Sequence, residues 1–124
     1  MKKIIYLLFA FLLLQSCANT KDKILSMLVS ELGDYTLIDE SKGIYEFKNI
    51  KIENFSIKKQ KIKENIDKLL NSNPTDEKNM QVSLTGDGFY SYYKWDLPKV
   101  FVSIWITYPN DKDYLNIEYI YREK

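Results

Sequence analysis

The stretch VFVSIWITYP, residues 100–109, decides the fold because its apolar residues alternate without a fault. Every second position is aliphatic: Val100, Val102, Ile104 and Ile106. Successive side chains of a β-strand point to opposite faces of the sheet, so these residues share one face. Such alternation is typical of an antiparallel strand with one face packed on a core. The stretch therefore predicts a core face, with Phe101 and Trp105 on the opposite face.

The segments on either side of this stretch alternate in the same way. Residues 80–84 before it and residues 115–121 after it do so, and residues 89–95 between them are rich in aromatic side chains. Turn-forming Gly, Pro, Asn and Asp residues separate the segments, which is typical of hairpins. We therefore expect an antiparallel meander with one face on the core. In its first strand, the residues expected to face the core are Met80, Val82 and Leu84.

Two segments nearer the N-terminus have the spacing of amphipathic helices. Residues 21–32 place apolar side chains three or four positions apart, between a capping Thr20 and a terminating Gly33. Residues 59–71 carry a second apolar stripe of this kind. Each helix would bury its stripe against the sheet.

Shorter elements are predicted between and after these helices. Residues 35–39 and 44–48 form a hairpin, and Ile50 and Ile52 continue the alternation as a third strand. The polar segment 71–78 is expected to be a loop. Together the elements predict an α+β fold, with a single small domain in which an antiparallel β-sheet of about five to seven strands packs against two helices.

The composition restricts both the size and the chemistry of the protein. The chain has 124 residues, which suits one domain, and its 18 basic residues nearly balance 17 acidic ones. A nucleic-acid binder is usually clearly basic. Histidine is absent and Cys17 is the only cysteine, which excludes a Ser-His-Asp triad, a disulfide and nearly every zinc site. We therefore expect no catalysis, no cofactor, no metal site and no nucleic-acid partner.

The first seventeen residues form a unit of their own. Lys2 and Lys3 precede an unbroken apolar run at 4–14, which is shorter than the roughly 20 residues of a membrane-spanning helix. The run closes on Leu14-Gln15-Ser16-Cys17. This segment resembles the signal peptide of bacterial lipoproteins, whose lipobox ends on a cysteine. The resemblance implies cleavage before Cys17 and attachment of lipid to it; an ordinary signal peptide with a chance cysteine is the alternative.

The resemblance also divides the chain and implies a location. Residues 1–16 are the signal peptide, residues 17–20 are the lipidated cysteine with a short tether, and residues 21–124 are the α+β domain. The implied location is the bacterial cell envelope, with the membrane as a partner through the lipid anchor. Ala18 favours the outer membrane in a bacterium that has two membranes. Three or four extended residues span roughly 10–15 Å, so the domain is expected close to the headgroups.

The aromatic residues of the meander are the main candidate site. Alternation places Tyr90 and Tyr92 on one face of their strand, and the next strand offers Phe101 and Trp105. Large, rigid aromatic side chains suit contact with a protein partner or a stacked sugar. Alternatively, a helix or loop covers this face, or the tyrosines are ordinary residues of a β-surface.

Three charged groups are weaker candidates. Six lysines between residues 48 and 63 would suit lipid phosphates, although lysines on a helix usually only solvate it. Asp111 and Asp113 have the spacing of a calcium loop without its further ligands. Asp87 and Asp96 are the only carboxylate pair that we consider as candidate catalytic residues of a hydrolase.

These observations predict a non-catalytic, lipid-anchored envelope protein that binds a protein partner, of the immunity, inhibitor or accessory-subunit type. One alternative is an envelope protein that binds a glycan or small ligand through the same aromatic residues. Another is a hydrolase that works with carboxylates alone, as glycosidases do.

Overall fold

The computed structural model describes residues 19–124, whose centre is a six-stranded antiparallel sheet. The strands are β1 (Thr36–Asp39), β2 (Ile44–Lys51), β3 (Asp76–Val82), β4 (Gly88–Asp96), β5 (Val100–Pro109) and β6 (Tyr114–Glu123). Their order across the sheet is β1-β2-β6-β5-β4-β3. Two helices, α1 (Thr20–Leu32) and α2 (Ile52–Leu70), complete the domain. The predicted α+β class, with one antiparallel sheet and two helices, is confirmed.

Both helices pack on one side of the sheet, which we call the helix face. The buried residues of α1 and α2 form one cluster with those of the strands: Ile24, Leu28, Tyr45, Phe47, Phe55, Ile62, Ile66, Trp95, Val102, Ile104, Ile106, Leu115, Ile117 and Tyr119. Several hydrogen bonds tie the sheet to the helices, and two of them come from buried aromatic side chains. The Trp95 indole donates to the Asp67 carboxylate of α2 at 2.9 Å, and the Tyr119 hydroxyl donates to the Lys21 carbonyl of α1 at 3.1 Å.

The ends of α1 follow from its caps. Asn19, not the predicted Thr20, is the N-cap residue, and its side-chain oxygen accepts from the Asp22 N–H at 2.8 Å. Gly33 ends the helix as predicted, with a φ of 95° and its N–H bonded to the Val29 carbonyl. Neither helix of residues 19–124 is long and apolar enough to cross a membrane. The predicted signal peptide and Cys17 lie outside the described residues.

The predicted third strand is wrong, because the chain changes element earlier than its alternation indicates. Ile50 belongs to β2, and Ile52 already begins α2, well before the predicted start at 59. The β2 register shifts between Phe47 and Ile50, where Asn49 adopts a φ of 59°. The helix then buries Phe55 at its inner side.

The prediction that β3 contributes to the core is also wrong. This strand lies at the edge of the sheet, and all seven of its residues are exposed. It begins at Asp76, inside the segment expected to be a loop. Val82 is 66% exposed and Leu84 is fully exposed, because neither helix covers this edge. A register shift between Lys78 and Gln81 interrupts its pairing with β4.

Candidate functional site

The side of the sheet opposite the helices carries the predicted aromatic residues, and we call it the open face. Its residues alternate with the core residues along each strand, as the β-period requires. Tyr92 of β4 lies directly opposite Trp105 of β5, and Trp105 lies opposite Glu118 of β6. Both described helices pack on the other side of the sheet. Among residues 19–124, no helix covers the open face.

Three aromatic rings on the open face form an ordered group, which we call the aromatic stack. The ring centroid of Trp105 lies 4.8 Å from that of Tyr90 and 5.1 Å from that of Tyr92. The planes are within 10° of parallel, and the two tyrosine rings are 6.3 Å apart. These values match the offset stacking that aromatic pairs prefer. The stack forms because the strand period and the β4–β5 register place all three side chains together.

Polar groups hold one end of the stack. The Lys94 ammonium lies 4.3 Å from the centroid of Tyr92 and 5.8 Å from that of Trp105, which is cation–π geometry. The Tyr92 hydroxyl donates to the Asp76 carboxylate of β3 at 3.0 Å. Tyr92 is therefore held by Lys94 of its own strand and by Asp76 of the adjoining strand β3.

Phe101 lies on the open face but outside the stack. It is four residues before Trp105 on β5, which corresponds to roughly 13 Å along a strand. Its cross-strand neighbours are Asp96 and Arg122, and the Arg122 guanidinium lies 5.8 Å from its ring centroid. The structure thus brings together Tyr90, Tyr92 and Trp105 and leaves the fourth predicted residue in a separate group.

A pair of carboxylates borders the stack and was not among the predicted site residues. Glu118 lies between Trp105 and Glu46 in one cross-strand row. Partial burial raises the pKa of Glu118, and the neighbouring Glu46 carboxylate raises it further. The only cation within ion-pair distance of Glu46 is Lys48, at 3.9 Å, in the described part of the chain. Alternation alone places both glutamates on this face, but their proximity requires the β2–β6 register.

The lysines between 48 and 63 do not form one free patch. Lys58 donates to the Glu31 carbonyl at 2.8 Å, Lys61 pairs with the Glu31 carboxylate at 2.8 Å, and Lys63 pairs with Asp67 at 2.7 Å. Lys58 and Lys61 therefore connect α2 to α1, and Lys63 forms an ion pair within α2, so these lysines do not form a free surface for lipid.

The acidic candidates are likewise separate. Asp87 directly precedes β4 and Asp96 is its last residue. This nine-residue strand separates the two carboxylates by about 30 Å, so they cannot act on one substrate bond. Both are exposed, and hydrogen bonds from Thr85 and Ser83 lower the pKa of Asp87. Asp111 and Asp113 lie in the β5–β6 turn. Within residues 19–124, no group of three or more potential metal ligands occurs.

The fold and the site define an α+β protein with one sheet face covered by helices and the other presenting an aromatic stack. Comparisons with protein-family models, curated proteins and solved structures found no match for this chain.

Proposed function

We propose that this protein is a lipid-anchored binding module of the bacterial cell envelope that docks a protein partner on its aromatic stack. The observation that carries the proposal is the group of three near-parallel rings on a sheet face that no described helix covers. The lipobox-like segment ending at Cys17 supports the anchor and the location. An immunity protein, an inhibitor or an accessory subunit of an envelope complex would have this form.

The surroundings of the stack resemble the anatomy of protein interfaces. Such interfaces combine a central aromatic anchor with a polar rim. Here Tyr90 and Trp105 are half-buried apolar groups, while Lys94 and Glu118 supply polar groups beside them. A partner would bury the exposed parts of the rings and leave the charges at the edge of the contact.

Glycan binding is the second candidate for the same surface, because sugars bind on aromatic side chains. The ring geometry favours a protein partner. Trp105 is stacked on Tyr90 and Tyr92, and Lys94 lies over Tyr92, so part of the ring surface is already in contact within the group. A sugar stacks on a free ring face, whereas a protein also contacts ring edges and neighbouring polar groups.

The test compares partner capture by the full lipidated protein and by variants of the open face. Tyr90→Ala/Trp105→Ala should lower capture of a specific envelope protein about thirtyfold, the effect of losing roughly 2 kcal/mol at an interface anchor. Phe101→Ala is the matched control, because it removes an aromatic ring from the same strand and face but outside the stack. It should leave capture unchanged.

Circular dichroism and thermal unfolding must first show that both variants are folded. Equal capture by the wild type and the folded double variant would contradict the proposed docking surface. If neither the wild type nor any variant captures a protein, and envelope glycans change the Trp105 fluorescence of the wild type, glycan binding is favoured.

A further inference from the structure

A polar cleft of about 570 Å³ separates α2 from the edge strand β3 on the helix face of the sheet. Ser56, Lys59 and Gln60 line it from the helix, Asn79 lines it from the strand, and Tyr93 of β4 lies between them. The volume is within the range of small-molecule sites. The cleft and the aromatic stack lie on opposite faces of the sheet, so they constitute separate sites.

Lys59 is the main feature of this cleft. Its ammonium is half-buried, donates to the Asn79 side-chain oxygen at 3.0 Å and lies 5.8 Å from the Tyr93 ring centroid. No carboxylate of residues 19–124 lies within ion-pair distance of it, whereas Lys61 and Lys63 each have one. Residues 1–18 contain no Asp or Glu that would supply another.

A half-buried ammonium without a counter-ion is unfavourable in the free protein. Burial lowers the pKa of Lys59, and the more distant Glu77 only partly offsets that effect. An anion entering the cleft would restore the missing charge interaction in a partly desolvated place, where charge-assisted hydrogen bonds are strong. Two hydrogen-bond donors of the ammonium remain for it after the bond to Asn79.

The remaining lining indicates what else the anion would carry. Ser56, Gln60 and Asn79 offer hydroxyl and amide groups, which bind polar substituents better than apolar ones. The Tyr93 hydroxyl is a donor at neutral pH, and burial raises its pKa further above the ordinary value. Lys59 and Glu77 both lie on the helix-face side of the cleft, whereas Lys78 is in the open-face row opposite Tyr92, so the charges of the cleft nearly balance. That balance suits one negative charge rather than several.

We propose that the cleft between α2 and β3 binds a small hydroxylated oxyanion, such as the carboxylate of an acidic sugar, with Lys59 as its counter-ion. The carboxylate would accept from the Lys59 ammonium, and the hydroxyl groups would meet the amide and hydroxyl lining. The proposal does not depend on the aromatic stack or on a protein partner.

The test is a two-dimensional NMR titration of the full protein in non-ionic detergent. Four probes separate the parts of the proposal: glucuronate, neutral glucose, acetate and inorganic phosphate. Glucuronate should produce saturable shifts of the cleft amides, Asn79 among them, and glucose at the same concentration should not. Acetate should bind more weakly than glucuronate because it lacks hydroxyl groups.

Two variants assign the binding to Lys59. Lys59→Met keeps the aliphatic stem beside Tyr93 and removes the charge, so the protein should stay folded while glucuronate binding falls at least tenfold. Lys61→Met is the matched control; it lies two residues away and is paired with Glu31, and binding should be unchanged.

Each outcome decides the proposal. Lys59-dependent binding of glucuronate tighter than that of acetate or phosphate would support it, and tighter binding of phosphate than of glucuronate would overturn the hydroxylated carboxylate as the ligand. The absence of saturable shifts with every oxyanion, equal binding of glucose and glucuronate, or equal binding by Lys59→Met would overturn it. Variants of the aromatic stack should bind glucuronate normally, so failure here differs from failure of the proposed protein-binding function.

Discussion

Among single residues, Glu118 connects the open face to the stability of the fold. Its carboxyl is partly buried beside Trp105, and both this burial and the Glu46 charge raise its pKa. An acid whose pKa is higher in the folded than in the unfolded chain disfavours folding when it is ionised. The penalty is absent below the unfolded pKa, near 4, and complete above the folded pKa. Glu118 therefore weakens the fold at neutral pH but not in acid.

Glu118→Gln removes this ionised group and is expected to raise the Tm at pH 7. The gain should shrink as the pH falls and vanish near about pH 3, where the wild-type carboxyl is protonated. Thermal unfolding followed by circular dichroism between those pH values measures the difference. Glu123→Gln, an exposed position at the end of the same strand, serves as control and should not change the Tm–pH profile. A lower Tm for Glu118→Gln at pH 7 would show that the carboxylate makes a favourable contact instead.

Among the secondary-structure elements, two hairpins depend on glycine for different reasons. Gly43, in the β1–β2 turn, has a φ of 64°, and a side chain there would run into the Tyr121 carbonyl oxygen of β6. Gly86, in the β3–β4 turn, has a similar φ of 73° but no atom within 4 Å of an added Cβ. The backbone strain of an alanine is thus comparable at both positions, whereas the clash occurs at only one.

Gly86→Ala should lower the free energy of unfolding by about 1–2 kcal/mol, the effect of a left-handed alanine. Gly43→Ala should lower it by more, on the order of 3 kcal/mol or above, because the hairpin must also move away from β6. Urea unfolding gives both values. The Tyr121 amide donates to the Gly43 carbonyl at 3.0 Å. Its hydrogen exchange should accelerate in Gly43→Ala but not in Gly86→Ala. Equal losses of stability would contradict the close-approach argument.

The same elements show which parts of the fold the sequence predicts. β5 and β6 are paired on both sides and covered by helices, so their alternation records burial directly, as at Ile104 and Ile117. β3 alternates too, but as an edge strand it is exposed on both faces, and the pattern at Met80 and Val82 misleads. Ile50 and Ile52 keep a period of two across a boundary that a bulge and a helix start create.

The candidate sites also differ in how far the sequence predicts them. Tyr90, Tyr92 and Trp105 could be placed on one face from alternation within two neighbouring strands. Whether that face is covered depends on where the helices pack, which no local pattern specifies. Lys59 and Asn79 meet only through the packing of α2 beside β3, so the cleft was not predictable from the spacing of its residues.

In the whole molecule, the turns gather at two ends of the sheet. The start of α1 at Asn19 lies beside the β1–β2 turn, and the C-terminus lies beside the β4–β5 turn, where the Lys124 N–H donates to the Lys99 carbonyl. We call this end the tether pole. The β3–β4 and β5–β6 turns form the far pole, where the Asn110 N–H donates to the Asp87 carbonyl. The ten-residue strand β5 separates the poles by about 33 Å.

If Cys17 carries lipid, this geometry orients the proposed module on its membrane. Only residue 18 lies between the anchor and Asn19, so the start of α1 must stay within about 10 Å of the headgroups. The far pole, with the fully exposed Leu84, then points away from the membrane, and the open face stands beside it. A partner would approach the aromatic stack from the side rather than through the bilayer surface.

Single-cysteine labelling of the lipidated protein in vesicles tests this orientation. Lipidated Cys17 has no free thiol, so a fluorophore on Lys42→Cys reports the tether pole and one on Leu84→Cys reports the far pole. Lipids with a nitroxide on the headgroup should quench the label at 42 strongly and the label at 84 weakly, because quenching falls off well within the length of β5. Vesicles without the nitroxide give the reference intensity for each label. Equal quenching at both positions would mean that the domain tumbles on its tether, and stronger quenching at 84 would mean that the far pole faces the membrane.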